Sequence, residues 1–148
     1  LMAAAIGLGA LAYGPLESWL RRRKVLALGG SFIAVAALAA LALPANSTTA
    51  ITTILLCVFG FFAMTYGTIM AHIRLFLPDS LLGRGMSFAN FLCMSGAGVL
   101  QVWSGVYVDH LKASGLTAAE LFSTVHLVLA GVLLVATLIY ALSRERTV

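Results

Sequence analysis

The chain has 148 residues, of which 61% are hydrophobic and only 9% charged, with a formal net charge of +4. So few charges cannot cover a water-facing surface, and so much apolar character is the opposite of what disorder requires. A soluble globular domain and a disordered chain are both excluded, and the placing of the charges matters more than their sum.

A helix needs about 20 apolar residues to cross a hydrocarbon core of about 30 Å. The first uncharged run, Leu1 to Leu16, reaches only about 24 Å at 1.5 Å per residue. A Gly14-Pro15 break ends it, and a charged loop runs from Glu17 to Lys24. No formal charge occurs from Val25 to Ile73, about 73 Å of helix and too long for one span. The proline-led polar stretch Pro44-Ala45-Asn46-Ser47-Thr48-Thr49 divides it. That predicts a second span over Val25–Leu43 and a third over Ala50–Leu77. A loop from Pro78 to Gly85, a fourth span over Met86–Val108 and a polar hairpin from Asp109 to Glu120 follow. The fifth span covers Leu121–Leu142 and leaves the tail Ser143–Val148. These runs lack strand alternation and exceed the 9–11 residues of a barrel strand. The expected class is an all-α polytopic membrane protein with five transmembrane helices.

Basic residues orient it. Arg21, Arg22, Arg23 and Lys24, then Arg74 and Arg84, then Arg144 and Arg146 all lie on one side, leaving Lys112 alone on the other. The positive-inside rule predicts a cytoplasmic C-terminus, and a bacterial inner (plasma) membrane is the expected location. Trp19 and Tyr140 at inner ends, and Trp103 and Tyr107 at an outer one, suit interfacial belts. The chain opens inside an apolar run, as expected of a piece of a longer protein cut within a helix.

The first loop, Gly14-Pro15-Leu16-Glu17-Ser18-Trp19-Leu20-Arg21-Arg22-Arg23-Lys24, resembles the cytoplasmic signature of the major facilitator superfamily, G-x-L-x-D-R-x-G-R-R/K. Gly14, Leu16, Arg22, Arg23 and Lys24 match in character, and Glu17 stands where a variant has its acid. Ser18 and Trp19 do not supply the Asp-Arg pair. The segment Arg74 to Asn90, with Pro78, Gly83, Arg84, Ser87 and Asn90, is similar to the link between that family's tenth and eleventh helices. The resemblance covers essentially the whole chain and implies helices eight to twelve of a secondary transporter. Such a protein moves a small solute by alternating access. Its first, third and fourth helices here would line a cavity, the second and fifth would be peripheral, and the N-terminal half of the same transporter would face them. Gly14, Glu17, Arg22, Arg23 and Lys24 would form a cytoplasmic gate. As topology signals and lipid anchors the same cations have a simpler role, and both readings stand.

Polar residues inside the spans mark a candidate pathway. Asn90, Met94, Ala97, Gln101 and Gly105 fall on one stripe of the fourth span, and Thr65, Thr68 and His72 share a face of the third with Tyr66 beside it. Asn90 and Gln101 are the only side-chain amides in the spans, about 16 Å apart along the helix, with Gln101 nearer mid-membrane. Amides in hydrocarbon must face protein or water, so contact with a solute competes with interhelical bonding. His72 and His126 are expected at span ends, where water reaches. Small-residue pairs Ala3/Gly7, Ala5/Gly9, Gly30/Ala34 and Gly98/Gly105 suggest close helix packing.

No span carries a mid-membrane Asp or Glu, and no metal-ligand cluster, phosphate loop or nucleophile elbow appears. Cys57 and Cys93 lie in apolar runs and suggest no disulfide framework. No cofactor, metal or nucleic-acid partner is expected, only a small-molecule solute and the lipid bilayer. The alternatives to a transporter are a non-transporting integral membrane scaffold and, more remotely, a membrane-embedded enzyme.

Overall fold

The computed structural model describes residues 1–20, 22–43 and 48–143. Arg21, the Pro44-Ala45-Asn46-Ser47 part of the predicted turn and the tail basics Arg144 and Arg146 lie outside the described residues. Among those described the protein is helical throughout: α1 (Met2–Leu20), α2 (Arg23–Leu41), α3 (Thr49–Phe62), α4 (Thr65–Arg74), α5 (Leu82–Ala113) and α6 (Ala118–Ala141), with a single 3₁₀ turn at Asp79–Leu81. Four segments, Arg23–Leu41, Thr49–Arg74, Asp79–Ala113 and Ala118–Ala141, are long and apolar enough to cross a membrane, which makes this a membrane protein. The five-span expectation stands at four by length and composition, since the second half of α1 carries Pro15, Glu17 and Ser18.

Several boundaries differ from expectation. Gly14-Pro15 does not break α1, which continues through Pro15 to Leu20. Proline removes only the N–H that would bond the Leu11 carbonyl, and the preceding Gly14 has no Cβ to crowd its ring. The charged loop shrinks accordingly. The third span is not one helix either, because it breaks at Ala63-Met64. There α1 takes over the freed backbone: Tyr13 Oη donates to the Phe62 carbonyl at 3.3 Å. Gly9 packs so closely under the Phe61 carbonyl that a Cβ would collide with it. The predicted loop Pro78–Gly85 is helical from Leu82, and Asp109–Ala113 belong to α5 rather than to a hairpin. What remains of that hairpin is a short turn with Gly115 at φ +79°, a left-handed conformation that glycine adopts freely. It ends in a capping box: Glu120 N–H donates to Thr117 Oγ1, and Thr117 N–H donates to Glu120 Oε2 at 2.9 Å.

Packing centres on α2. Its buried residues, Leu26, Ala27, Gly30, Ser31, Ala34, Ala37, Leu38 and Leu41, recur at three- and four-residue steps, and most are small enough for neighbours to approach closely. α1, α3, α4 and α6 all pack against it. At one end Leu38 and Leu41 meet Ala130 of α6, with Leu55, Leu56 and Phe59 of α3 around them. Within this group of helices α2 is the most buried. α5 is the opposite case, with no buried residue along 32.

Candidate functional site

The end of the bundle that carries the basic residues is built from four helix termini. Arg23, the first residue of α2, donates from Nε to Glu17 Oε1 at 2.5 Å and from Nη1 to the Ala71 carbonyl at 3.1 Å. Lys24 Nζ donates to the Ser143 carbonyl at 2.6 Å, just past α6. Both carbonyls lie where a helix C-terminus leaves backbone acceptors unpaired and the dipole is negative. The two cations thus cap α4 and α6 from a neighbouring helix, while Glu17 of α1 holds the Arg23 guanidinium in place. Of the expected gate residues, Glu17, Arg23 and Lys24 come together. Arg22 and Gly14 do not: both are exposed, and nothing lies within 4 Å of a Cβ built on Gly14.

The polar face of α4 turns inward. Thr65, Thr68 and His72 are buried, Thr68 and His72 each to 2%, which overturns the water-accessible position expected for His72. The helix break explains it, because re-phasing α4 at Ala63-Met64 lets this face pack on α2 and α1. Gly30 of α2 is the contact point: a Cβ there would lie 2.8 Å from Thr65 Cγ2 and collide with Tyr13 Oη. His72 Nδ1 lies 2.7 Å from Tyr140 Oη of α6, and its ring meets Phe76 and Tyr140 edge-on at centroid distances of 5.3 and 5.7 Å. His72 Nε2 and Thr68 Oγ1 are buried with no hydrogen-bond partner.

Tyr66 leaves α4 on another side. It is 40% exposed, and its hydroxyl donates to Asn90 Oδ1 at 2.5 Å, tying α4 to α5. Gln101 is exposed further along α5. The candidate pathway residues therefore form a buried row, Thr65-Thr68-His72, a surface pair, Tyr66-Asn90, and the separate Gln101.

His126, expected at a span end within reach of water, is half-buried on α6, and its Nδ1 lies 2.8 Å from the Phe122 carbonyl. It lines an apolar cleft of about 410 Å³ with Leu100, Leu56, Phe59 and Leu133. A larger cavity of about 720 Å³ opens near the start of α3 and α6, lined by Thr49, Thr52, Thr53, Ser123 and Glu120 among others. Three of its polar groups are already engaged, Thr53 on the Thr49 carbonyl, Ser123 on the Ala42 carbonyl and Glu120 in its cap. Among the described residues no three His, Cys, Asp or Glu side chains group as metal ligands.

Four participants were missed in the sequence. Tyr13 is a lone hydroxyl in an apolar run, Tyr140 reads as a belt aromatic, and the Ala71 and Ser143 acceptors are backbone. No family model matches the chain, nor does any curated protein or solved structure.

Proposed function

We propose that the chain is the C-terminal part of a secondary transporter of the major facilitator type, which moves a small solute by alternating access without ATP chemistry. One observation supports it most: α5 is long, carries Asn90 and Gln101, has no fully buried residue, and is pinned to its neighbours through Tyr66 and Asn90. A helix with that surface offers a polar stripe to a cavity or to another part of the protein. Glu17, Arg23 and Lys24 then act as the gate at the cytoplasmic face, joining four helix ends in one conformation.

The test is transport by the complete protein in proteoliposomes, against a panel of small solutes. Gln101→Ala is expected to raise the apparent KM severalfold with near-normal expression. A drop in thermal stability with unchanged KM would make the amide a packing group, and no transport of any solute would favour the scaffold. Cysteine labelling at position 23 checks the orientation, and access from the outside would reverse it.

A further inference from the structure

The cations at the basic end divide into two sets. Arg23 and Lys24 are half-buried and engaged by the protein, on the carbonyls of Ala71 and Ser143 and, for Arg23, on Glu17. Arg22, Arg74 and Arg84 are exposed, and neither ion pair among the described residues includes them. The fold gathers these three. The bond from Arg23 to Ala71 brings the start of α2 to the last turn of α4, which carries Arg74. Gly85 packs so closely on Leu77 that a Cβ there would lie 2.7 Å from its side chain, so the first turn of α5, with Arg84, folds back onto the residues just after Arg74. Among the described residues five cations thus meet two acids at this end, and one of the acids, Glu17, is already paired. Exposed rings stand beside the exposed cations. Trp19, in the last turn of α1, is 81% exposed, and Phe88, one turn into α5 on the same face as Arg84, is 62% exposed. A cation at headgroup depth with a ring just below it, at the end of apolar spans, is the arrangement of a membrane interface.

We propose that Arg22, Arg74 and Arg84, with Trp19 and Phe88, form a docking surface for an anionic phospholipid. The two roles open to the basic run then fall to different residues: Arg23 and Lys24 cap helices, and Arg22 joins the lipid surface. A guanidinium presents a planar fork of donors that matches the oxygens of a phosphate, and the acyl chains lie along the two rings. Phosphatidylcholine carries the same phosphate, but its choline cation cancels the charge. The surplus of cations therefore selects a lipid with a net negative headgroup, such as phosphatidylglycerol. Asp79 is exposed on the turn between Arg74 and Arg84 and opposes the headgroup, one carboxylate against three guanidinium groups. Inorganic phosphate would meet the same cations but has no chains for Trp19 and Phe88 to cover, which makes the lipid the occupant. The surface is independent of whether the chain transports anything.

The two tryptophans of the chain, Trp19 and Trp103, stand toward opposite ends of the spans and report on the lipid beside each. Quenching by phosphatidylglycerol or phosphatidylcholine with brominated acyl chains is measured in nanodiscs of mixed composition. With Trp103→Phe, Trp19 should be quenched by phosphatidylglycerol in preference to phosphatidylcholine by about threefold or more, since one interfacial Lys or Arg favours an anionic lipid by roughly fivefold. With Trp19→Phe, Trp103 should show no such preference, because the described cation at that end, Lys112, is paired with Asp109. Replacing Arg22, Arg74 and Arg84 by Gln together should bring the Trp19 preference close to one, and each single replacement should lower it in part. Lys112→Gln should leave it unchanged. Inorganic phosphate, added at constant ionic strength, should not displace the lipid. Equal quenching of Trp19 by the two lipids overturns the proposal, as does an equal preference at Trp103, and neither result depends on an arginine variant folding. A preference that survives the triple replacement also overturns it, and one abolished by phosphate makes this a free-anion site instead.

Discussion

α2 and α5 are made of similar material and have opposite fates. Both are apolar and both are punctuated by small residues, yet α2 buries eight residues in 19 and α5 none in 32. The difference lies in what meets the small residues. Gly30 of α2 receives a tyrosine hydroxyl and a threonine methyl, whereas nothing comes within 4 Å of a Cβ on Gly96, Gly98 or Gly105 of α5. A glycine in a membrane helix signals close packing only where a neighbour has a group that uses the space. So much exposed apolar surface on a membrane helix must be covered by lipid or protein, and for α5 that cover comes from beyond these described helices.

Substituting the two kinds of glycine gives the largest expected contrast. Gly30→Leu drives a side chain into Tyr13 and Thr65 and should destabilise the protein by about 1–3 kcal/mol, the usual cost of overpacking. Gly98→Leu should stay within about 0.5 kcal/mol, as surface changes do. Thermal unfolding in nanodiscs measures both. Equal losses would mean that α5 is tightly covered after all.

The next contrast tests how α2 is anchored. Arg23→Met removes the Glu17 pairing and the Ala71 bond together, from a side chain only 28% exposed. The expected loss is about 1.5–3 kcal/mol, the range for hydrogen bonds to charged groups, with the melting temperature falling accordingly. Arg22→Met, at an exposed neighbour, should change it by about 0.5 kcal/mol or less. If the two variants melt alike, the basic run acts on topology alone.

Charge spacing and hydropathy made the all-helical class and four membrane-length apolar spans legible, because the bilayer forces apolar length on any span. The helix break was not legible. Ala63-Met64 carries no proline or glycine, and the break is stabilised by Tyr13 and Gly9, some fifty residues earlier in the chain. The burial of His72 followed from that break and was hidden for the same reason. Pairing Glu17 with the basic run was legible in outline. Which cation serves which carbonyl was not, since backbone acceptors leave no mark in the composition. Asn90 and Gln101 of the stripe on α5 are exposed, but periodicity does not say what a face meets.

The smallest expected effect concerns the one hydrogen bond described between the side chains of α4 and α5. Tyr66→Phe deletes only the hydroxyl that donates to Asn90, and bonds of this kind between membrane helices contribute about 0.6 kcal/mol on average. A double-mutant cycle with Asn90→Ala isolates the coupling, because the two residues are in contact and their separate losses should not add. A coupling near that value means that α5 stays docked through this bond while the rest of its surface serves other contacts. A coupling near zero means that α5 is positioned by what surrounds it, and Asn90 is then free to turn into a cavity. Because both residues are at the surface, water or lipid headgroups compete for the same donors, so the value should fall as the bilayer thins and hydration reaches deeper. Repeating the cycle in nanodiscs of shorter acyl chains would show that fall, and its absence would place the pair in a dry interface.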